Sequence, residues 1–243
     1  MSSKTKSKSK VAPLRKELPN IIIPILNKDK SKHEKWTEGR NMLNLPSPSR
    51  VLLAGPPSTG KTTCMKNIIV RANPPYKKII VVHCAPEQTR EYDDIECQIL
   101  NAIPKVEDFH ALIGDNKALV ILEDIEYNQM KKDQKQNLDR LFGYVSTHLG
   151  EGKGVSVFCT SQDIYSLPTC VRRMTNFWIL WRMKDLDSMK SIARKCGIDS
   201  KKFVDEMLKL QGRESLWIDD IPNTPYKVRK NGFDLLNLEY TNT

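Results

Sequence analysis

Residues 55–62 read Gly-Pro-Pro-Ser-Thr-Gly-Lys-Thr and stand directly behind the apolar run Val51-Leu52-Leu53-Ala54. A glycine, four residues and then Gly-Lys-Thr after a buried strand is a phosphate-binding loop, and it dictates the order strand, loop, helix. Gly55 and Gly60 let the backbone curl so that its N–H groups converge on phosphates, with Pro56, Pro57, Ser58 and Thr59 forming the turn between them. Lys61 is expected to reach the terminal phosphates, and Thr62 to hold Mg²⁺. The stretch Thr63–Val70 reads as a helix whose positive N-terminal dipole faces the same phosphates. The chain therefore binds a nucleotide, with ATP and Mg²⁺ as the expected pair.

From Arg50 onward apolar runs alternate with helical patterns. Strands are expected near Val51–Ala54, Lys78–Cys84, Ala118–Leu122, Val155–Thr160 and Phe177–Trp181. Leu138, Leu141, Phe142, Val145 and Leu149 recur at helical spacing up to Gly150, and further helices are expected over Asp187–Lys195 and Lys201–Leu210. This alternation predicts an α/β fold: a P-loop NTPase with a mostly parallel central sheet covered by helices on both faces. Leu216–Ile218 and Tyr226–Lys230, joined by a loop with two prolines, predict a C-terminal β-hairpin. Phe177, Trp178 and Trp181 lie in an apolar strand and read as core or subunit interface rather than as base-stacking platforms.

Charge is concentrated at the front. Residues 1–50 hold twelve Lys/Arg against four Asp/Glu, so they carry +8 of the chain's net +10. Residues 1–18 read as a disordered basic tail, suited to a polyanion or to a solubilising role, because alternating Lys and Ser cannot bury apolar surface. Residues 19–49 read as an extension and linker, with a short apolar segment at Pro19–Leu26, and residues 50–243 as the nucleotide domain. No apolar run reaches the ~18 residues of a membrane span. Six scattered cysteines without a C-x-x-C pair read as buried thiols of a reducing compartment.

Two further strand ends carry chemistry. Ala118–Leu122 runs into Glu123-Asp124, a Walker B pair in which Glu123 takes the metal position and Asp124 the water-activating one. The next strand delivers Ser161-Gln162 to the same edge, where a neutral amide can contact the γ-phosphate or the attacking water. Arg172 and Arg173 follow as candidates for a cation acting on a neighbouring subunit's phosphates. The expected catalytic set is Lys61, Glu123, Asp124, Gln162, Arg172 and Arg173.

The phosphate loop, the strand ending in two acids, the Ser161-Gln162 pair and the stretch Pro168-x-x-Val171-Arg172 together resemble the viral genome-packaging ATPases of the FtsK–HerA superfamily. The resemblance covers roughly residues 48–220. Gln162 to Arg172 is its specific part, since the phosphate loop is shared by many families. It implies that the Gln-bearing strand lies between the Walker B strand and the phosphate-loop strand. It also implies a homo-oligomeric ring of five or six copies, ATP-driven movement of double-stranded DNA into a capsid, and contact with capsid vertex proteins. The implied setting is intracellular, in the host cytoplasm or viral factory, or on the virion. Two departures stand out: such enzymes usually place Asp first where this chain has Glu123, and relatives often carry a more basic loop before the Gln-bearing strand than Gly150–Gly154, whose single Lys153 stands beside the Arg172/Arg173 pair as the alternative trans-acting cation. The alternatives are another P-loop ATPase or helicase acting on nucleic acid, and a small-molecule kinase. The kinase is disfavoured by the extra strand around Ile79–His83 between loop and acids.

Overall fold

The structure is a computed structural model and describes residues 43, 45–87, 89–123, 125, 127–149, 155–221, 224 and 227–238. β1 (Arg50–Ala54) leads through the phosphate loop into α1 (Lys61–Val70), followed by β2 (Lys78–Val82), β3 (Gln98–Leu100), α2 (Val106–Ile113), β4 (Ala118–Leu122) and α3 (Lys132–Arg140). A π-helical turn at Leu141–Val145 joins α3 to the short α4 (Ser146–His148). β5 (Val155–Ser161), α5 (Thr169–Met174), β6 (Phe177–Trp181), α6 (Leu186–Lys195) and α7 (Ser200–Lys209) come next. The antiparallel strands β7 (Ser215–Asp219), β8 (Val228–Lys230) and β9 (Asp234–Leu236) close the described chain.

Among the described residues the strands form one sheet in the order β3-β2-β4-β5-β1-β6-β7-β8-β9. All pairings from β3 to β6 are parallel, and those from β6 to β9 are antiparallel. β5 lies between β4 and β1, in the register Leu122↔Cys159 and Ala54↔Ser161. The phosphate loop, Glu123 and Gln162 therefore leave three adjacent strands at the same C-terminal edge, where ligands of open α/β sheets bind.

The central strands are continuous apolar runs because both faces of the sheet are covered. Successive side chains point to opposite faces, so Leu52, Val120, Val157 and Trp178 join a core with residues of α2, α6 and α7, while Val51, Leu119, Phe158 and Phe177 face a second core with Met65, Ile68 and Ile69 of α1. The helix starts differ in a way that matters for the site. α6 and α7 are capped by Asp185 and Asp199, whose carboxylates accept from backbone N–H groups of their first turns. α1 begins at Gly60 in the left-handed conformation (φ 97°) with no side-chain cap and no acid in its first turn. Its N-terminus keeps N–H groups and dipole for an anion.

Several expectations shift in detail. The second strand ends at Val82 rather than Cys84, and α1 starts at Lys61 rather than Thr63. The helix expected over 138–149 starts at Lys132 and is interrupted by the π turn. The terminal hairpin gains a third strand, β9, and its second strand is described only over Val228–Lys230. β3, α2 and α5 were not anticipated. Phe177, Trp178 and Trp181 are all buried, as core residues. Of the cysteines, all free, only Cys159 and Cys196 are buried, and Cys84 is exposed. The basic tail, most of the extension with Pro19–Leu26, and the loop Gly150–Gly154 lie outside the described residues.

Candidate active site

The phosphate loop is held by close backbone approach. The Gly55 N–H donates to the Ser161 carbonyl (3.2 Å), joining the loop to the end of β5. A Cβ on Gly55 would stand 2.7 Å from Cβ of Trp181, so β6 leaves room for glycine alone. Ser58 and Gly60 both have positive φ, 60° and 97°, which turns successive N–H groups toward the hollow of the loop. The Thr59 hydroxyl donates to the Pro56 carbonyl (2.9 Å) and closes the turn. Lys61, 8% exposed, donates from Nζ to the Gly55 and Pro56 carbonyls, each at 2.9 Å.

A cleft of about 660 Å³ opens above this loop. Pro57, Ser58, Gly60, Lys61, Thr62 and Thr63 form its floor, Glu123 stands on the β4 side, and Thr160 and Gln162 come from the end of β5. Thr62 Oγ1 donates to Glu123 Oε1 at 2.9 Å. Glu123 is 6% exposed, and burial raises its pKa, opposed by the nearby Tyr92 hydroxyl and by the hydrogen bond from Thr62. Its other oxygen, Oε2, is buried without a hydrogen-bond partner. A hydroxyl and a carboxylate side by side, with carboxylate capacity left over, form an all-oxygen donor set of the kind a hard divalent cation takes when phosphates and water complete its shell. Among the described residues no group of three or more His, Cys, Asp or Glu side chains could hold a metal by itself.

The cleft also contains groups that the motifs did not announce. His83, Ala85, Thr89, Arg90 and Glu91, from the connection between β2 and β3, line one wall, and Arg213 lines another. Arg213 follows Gly212, whose φ of 53° turns the chain into β7, and its carbonyl accepts from the indole of Trp181 (3.2 Å). Its Cδ lies 3.8 Å from where a Cβ on Gly60 would be. The backbone of Arg213 is thus held against β6 beside the phosphate loop, and its exposed side chain brings a cation to the cleft. Its signal in the sequence is only a Gly-Arg pair ahead of a terminal strand, far from the loop, and nothing in the spacing connects the two.

The two expected trans arginines lie elsewhere. Neither Arg172 nor Arg173 lines this cleft. The Arg172 guanidinium sits 5.2 Å from the ring centre of Tyr165, and its Nη2 donates to Thr169 Oγ1 at 3.3 Å. Arg173 lines a separate cleft of about 500 Å³ with Arg50 and Asn176, where β1 and β6 begin. The five residues of β1 separate that cleft from the phosphate loop, roughly 15 Å at about 3.3 Å per residue. Asp124 and Lys153 lie outside the described residues.

Among proteins of solved structure, the chain is similar to B204, the DNA-packaging ATPase of Sulfolobus turreted icosahedral virus, at 14% identity and a TM-score of 0.53 over 78% of this chain and all of that one. It is also similar to the genome-packaging NTPase B204 of Sulfolobus turreted icosahedral virus 2 bound to ATP-γ-S, at 16% identity and a TM-score of 0.52 over 74% of this chain and 95% of that one. At these identities the likeness is one of fold, and it is the fold that the sequence resemblance implied. No curated protein matches the sequence. The family model described as "ATPase family associated with various cellular activities (AAA)" matches residues 51–182, from the phosphate-loop strand to the end of β6. Since that match spans more than half of the chain and contains the whole parallel core of the cleft, the protein belongs to this ATPase family.

Proposed function

We propose that this P-loop ATPase is a motor that couples ATP hydrolysis to movement of double-stranded DNA, in the packaging of a viral genome. The observation that carries the reading is the strand order β4-β5-β1, which sets Glu123 and Gln162 at the edge of a cleft floored by the phosphate loop. The fold shared with a DNA-packaging ATPase and a genome-packaging NTPase and the Gln162–Arg172 resemblance support the DNA part, together with the +8 charge of residues 1–50.

In this reading each residue has one task. The N–H groups at the start of α1 bind the phosphates, and Lys61 exchanges the Gly55 and Pro56 carbonyls for their terminal oxygens. Thr62 and Glu123 hold Mg²⁺, which when bound neutralises charge on the β- and γ-phosphates. Gln162 orients the attacking water and Asp124, next in sequence to Glu123, accepts its proton. Arg213 adds a cation from the same chain. Arg172 or Arg173 acts on the nucleotide of the next copy in a ring, as the distance of Arg173 from its own phosphate loop requires of any phosphate contact it makes.

The test is ATP turnover with and without duplex DNA, with particle mass recorded in parallel. Stimulation by DNA in a ring-sized particle is expected, and deletion of residues 2–16 should lower DNA affinity and flatten its salt dependence. Turnover indifferent to DNA would leave an ATPase with some other load.

A further inference from the structure

The connection between β2 and β3 carries no sequence motif, yet it forms one wall of the nucleotide cleft. It is fastened to α1 by Lys66, which donates to the Glu91 carbonyl at 2.8 Å and pairs with Asp94. Between those two residues the connection drives Tyr92 inward. Tyr92 is 1% exposed and packs in the core shared with Met65, Ile68 and Ile69 of α1.

Its hydroxyl lies beside the carboxylate of Glu123. Tyr92 Oη and Glu123 Oε2 are both buried, and neither makes a hydrogen bond of standard geometry, while Oε1 is engaged by Thr62. Leaving a buried phenol and a buried carboxylate oxygen unsatisfied costs on the order of 1–3 kcal/mol each. Apolar packing alone would be served as well by phenylalanine. A small rotation that lets the phenol donate to the carboxylate satisfies both atoms.

We propose that Tyr92 is a positioning residue for the cation site: its hydroxyl, donated to Glu123, fixes the rotation of that carboxylate so that it faces Thr62 and the phosphates. This rests on the reading of Glu123 as a metal-holding residue. The connection that bears Tyr92 also presents Arg90 and Glu91 to the cleft. One buried side chain thus contributes, beside Lys66, to its seating on α1 and also to the orientation of Glu123.

The test is the affinity of the full-length protein for a fluorescent ATP analogue, with excess chelator and with saturating Mg²⁺, in the wild type, Tyr92→Phe, Glu123→Gln and the double variant. Groups that orient a metal ligand typically change metal affinity by about 10- to 100-fold. Tyr92→Phe should accordingly reduce the gain in affinity that Mg²⁺ confers about tenfold, with chelator-measured affinity unchanged and Tm moved by no more than the few degrees that one buried hydrogen bond is worth. In the Glu123→Gln background it should have no further effect. If Glu123→Gln removes the Mg²⁺-dependent gain while Tyr92→Phe leaves it intact, the inference fails and the metal reading stands. If Glu123→Gln itself leaves the gain intact, the metal reading fails, and this inference with it. A Tyr92→Phe protein that loses thermal stability and chelator-measured affinity together would show a packing role and overturn the proposal.

Discussion

At the C-terminal edge of the sheet one cleft gathers Lys61, Thr62, Glu123, Gln162 and Arg213, whereas at the N-terminal edge Arg173 shares a separate cleft with Arg50. The first edge contains the phosphate loop, the hydroxyl and carboxylate of Thr62 and Glu123, a neutral amide and the side chains of Arg90 and Arg213. The second offers guanidinium groups with no nucleotide-binding features of their own. A strand's length divides them, so within one molecule they cannot act on the same phosphate. If both serve catalysis, they meet only across a subunit boundary. Arg213 sharpens the contrast, because with Lys61 and Arg90 it gives the first edge its cations without help from a neighbour.

The strongest way to break this comparison is to remove the centre of the first edge. Lys61→Ala should lower turnover by about a thousandfold or more, since it removes the ammonium that the phosphate-loop motif brings to the terminal phosphates. Steady-state ATP hydrolysis reads this directly, and retained activity would end the enzymatic account of the cleft. Asp124→Asn comes next: ATP should still bind while turnover falls by about a hundredfold or more, because the amide keeps the shape but accepts no proton. Single-turnover measurements separate the two steps. If Glu123→Gln shows that phenotype instead, and Asp124→Asn the loss of Mg²⁺ dependence, the roles of the two acids are exchanged.

Arg213→Ala should be milder, raising the KM for ATP about tenfold in every copy, as for one charge-assisted hydrogen bond of about 1.5–3 kcal/mol. Unlike the loss of a trans residue, this deficit should not depend on protein concentration or on mixing with wild type.

The smallest effect concerns Glu123 and stability. Its carboxyl has a raised pKa because of burial, so the folded state holds this proton more tightly than the unfolded state does. The corresponding stability is present at acid pH and is lost as pH rises through the folded-state pKa, which lies above the ordinary 4.5. Glu123→Gln should therefore raise the Tm of the nucleotide-free protein at neutral pH, by about 2–4 °C for each kcal/mol relieved in a domain of this size. The advantage should shrink as pH falls through that value, and thermal melts of both proteins from pH 4 to 8 would show it. A variant that melts lower than wild type at neutral pH would mean that the carboxylate is stabilised rather than strained in its pocket.

The comparison also explains what could be read from the sequence. The strands β1, β2, β4, β5 and β6 were legible because a parallel strand covered on both faces is written as an unbroken apolar run, as in Ala118–Leu122. The phosphate loop and the residues at the ends of β4 and β5 were legible because each is adjacent in sequence to such a run. β3 was not, since Gln98–Leu100 is three residues long at the sheet edge, with none of them fully buried. α5 has a single buried residue, Val171, too little to write a helical period. Arg213 and Tyr92 were invisible for a different reason. Their relation to the site is created by β7 lying next to β6 and by the β2–β3 connection folding over α1, and neither contact leaves a spacing in the chain.

The relation between the two edges is tested most directly by complementation. Lys61→Ala protein has a dead cleft but intact arginines, and an Arg172→Ala, Arg173→Ala double variant has the reverse; each should be nearly inactive alone. Mixed in equal amounts and allowed to reassemble, they should recover about a quarter of wild-type ATP turnover, because about one head-to-tail boundary in four then joins an intact cleft to intact arginines. A mixture as inactive as its two components, after exchange of subunits has been verified, would contradict the shared site and leave Arg172 and Arg173 without a part in hydrolysis.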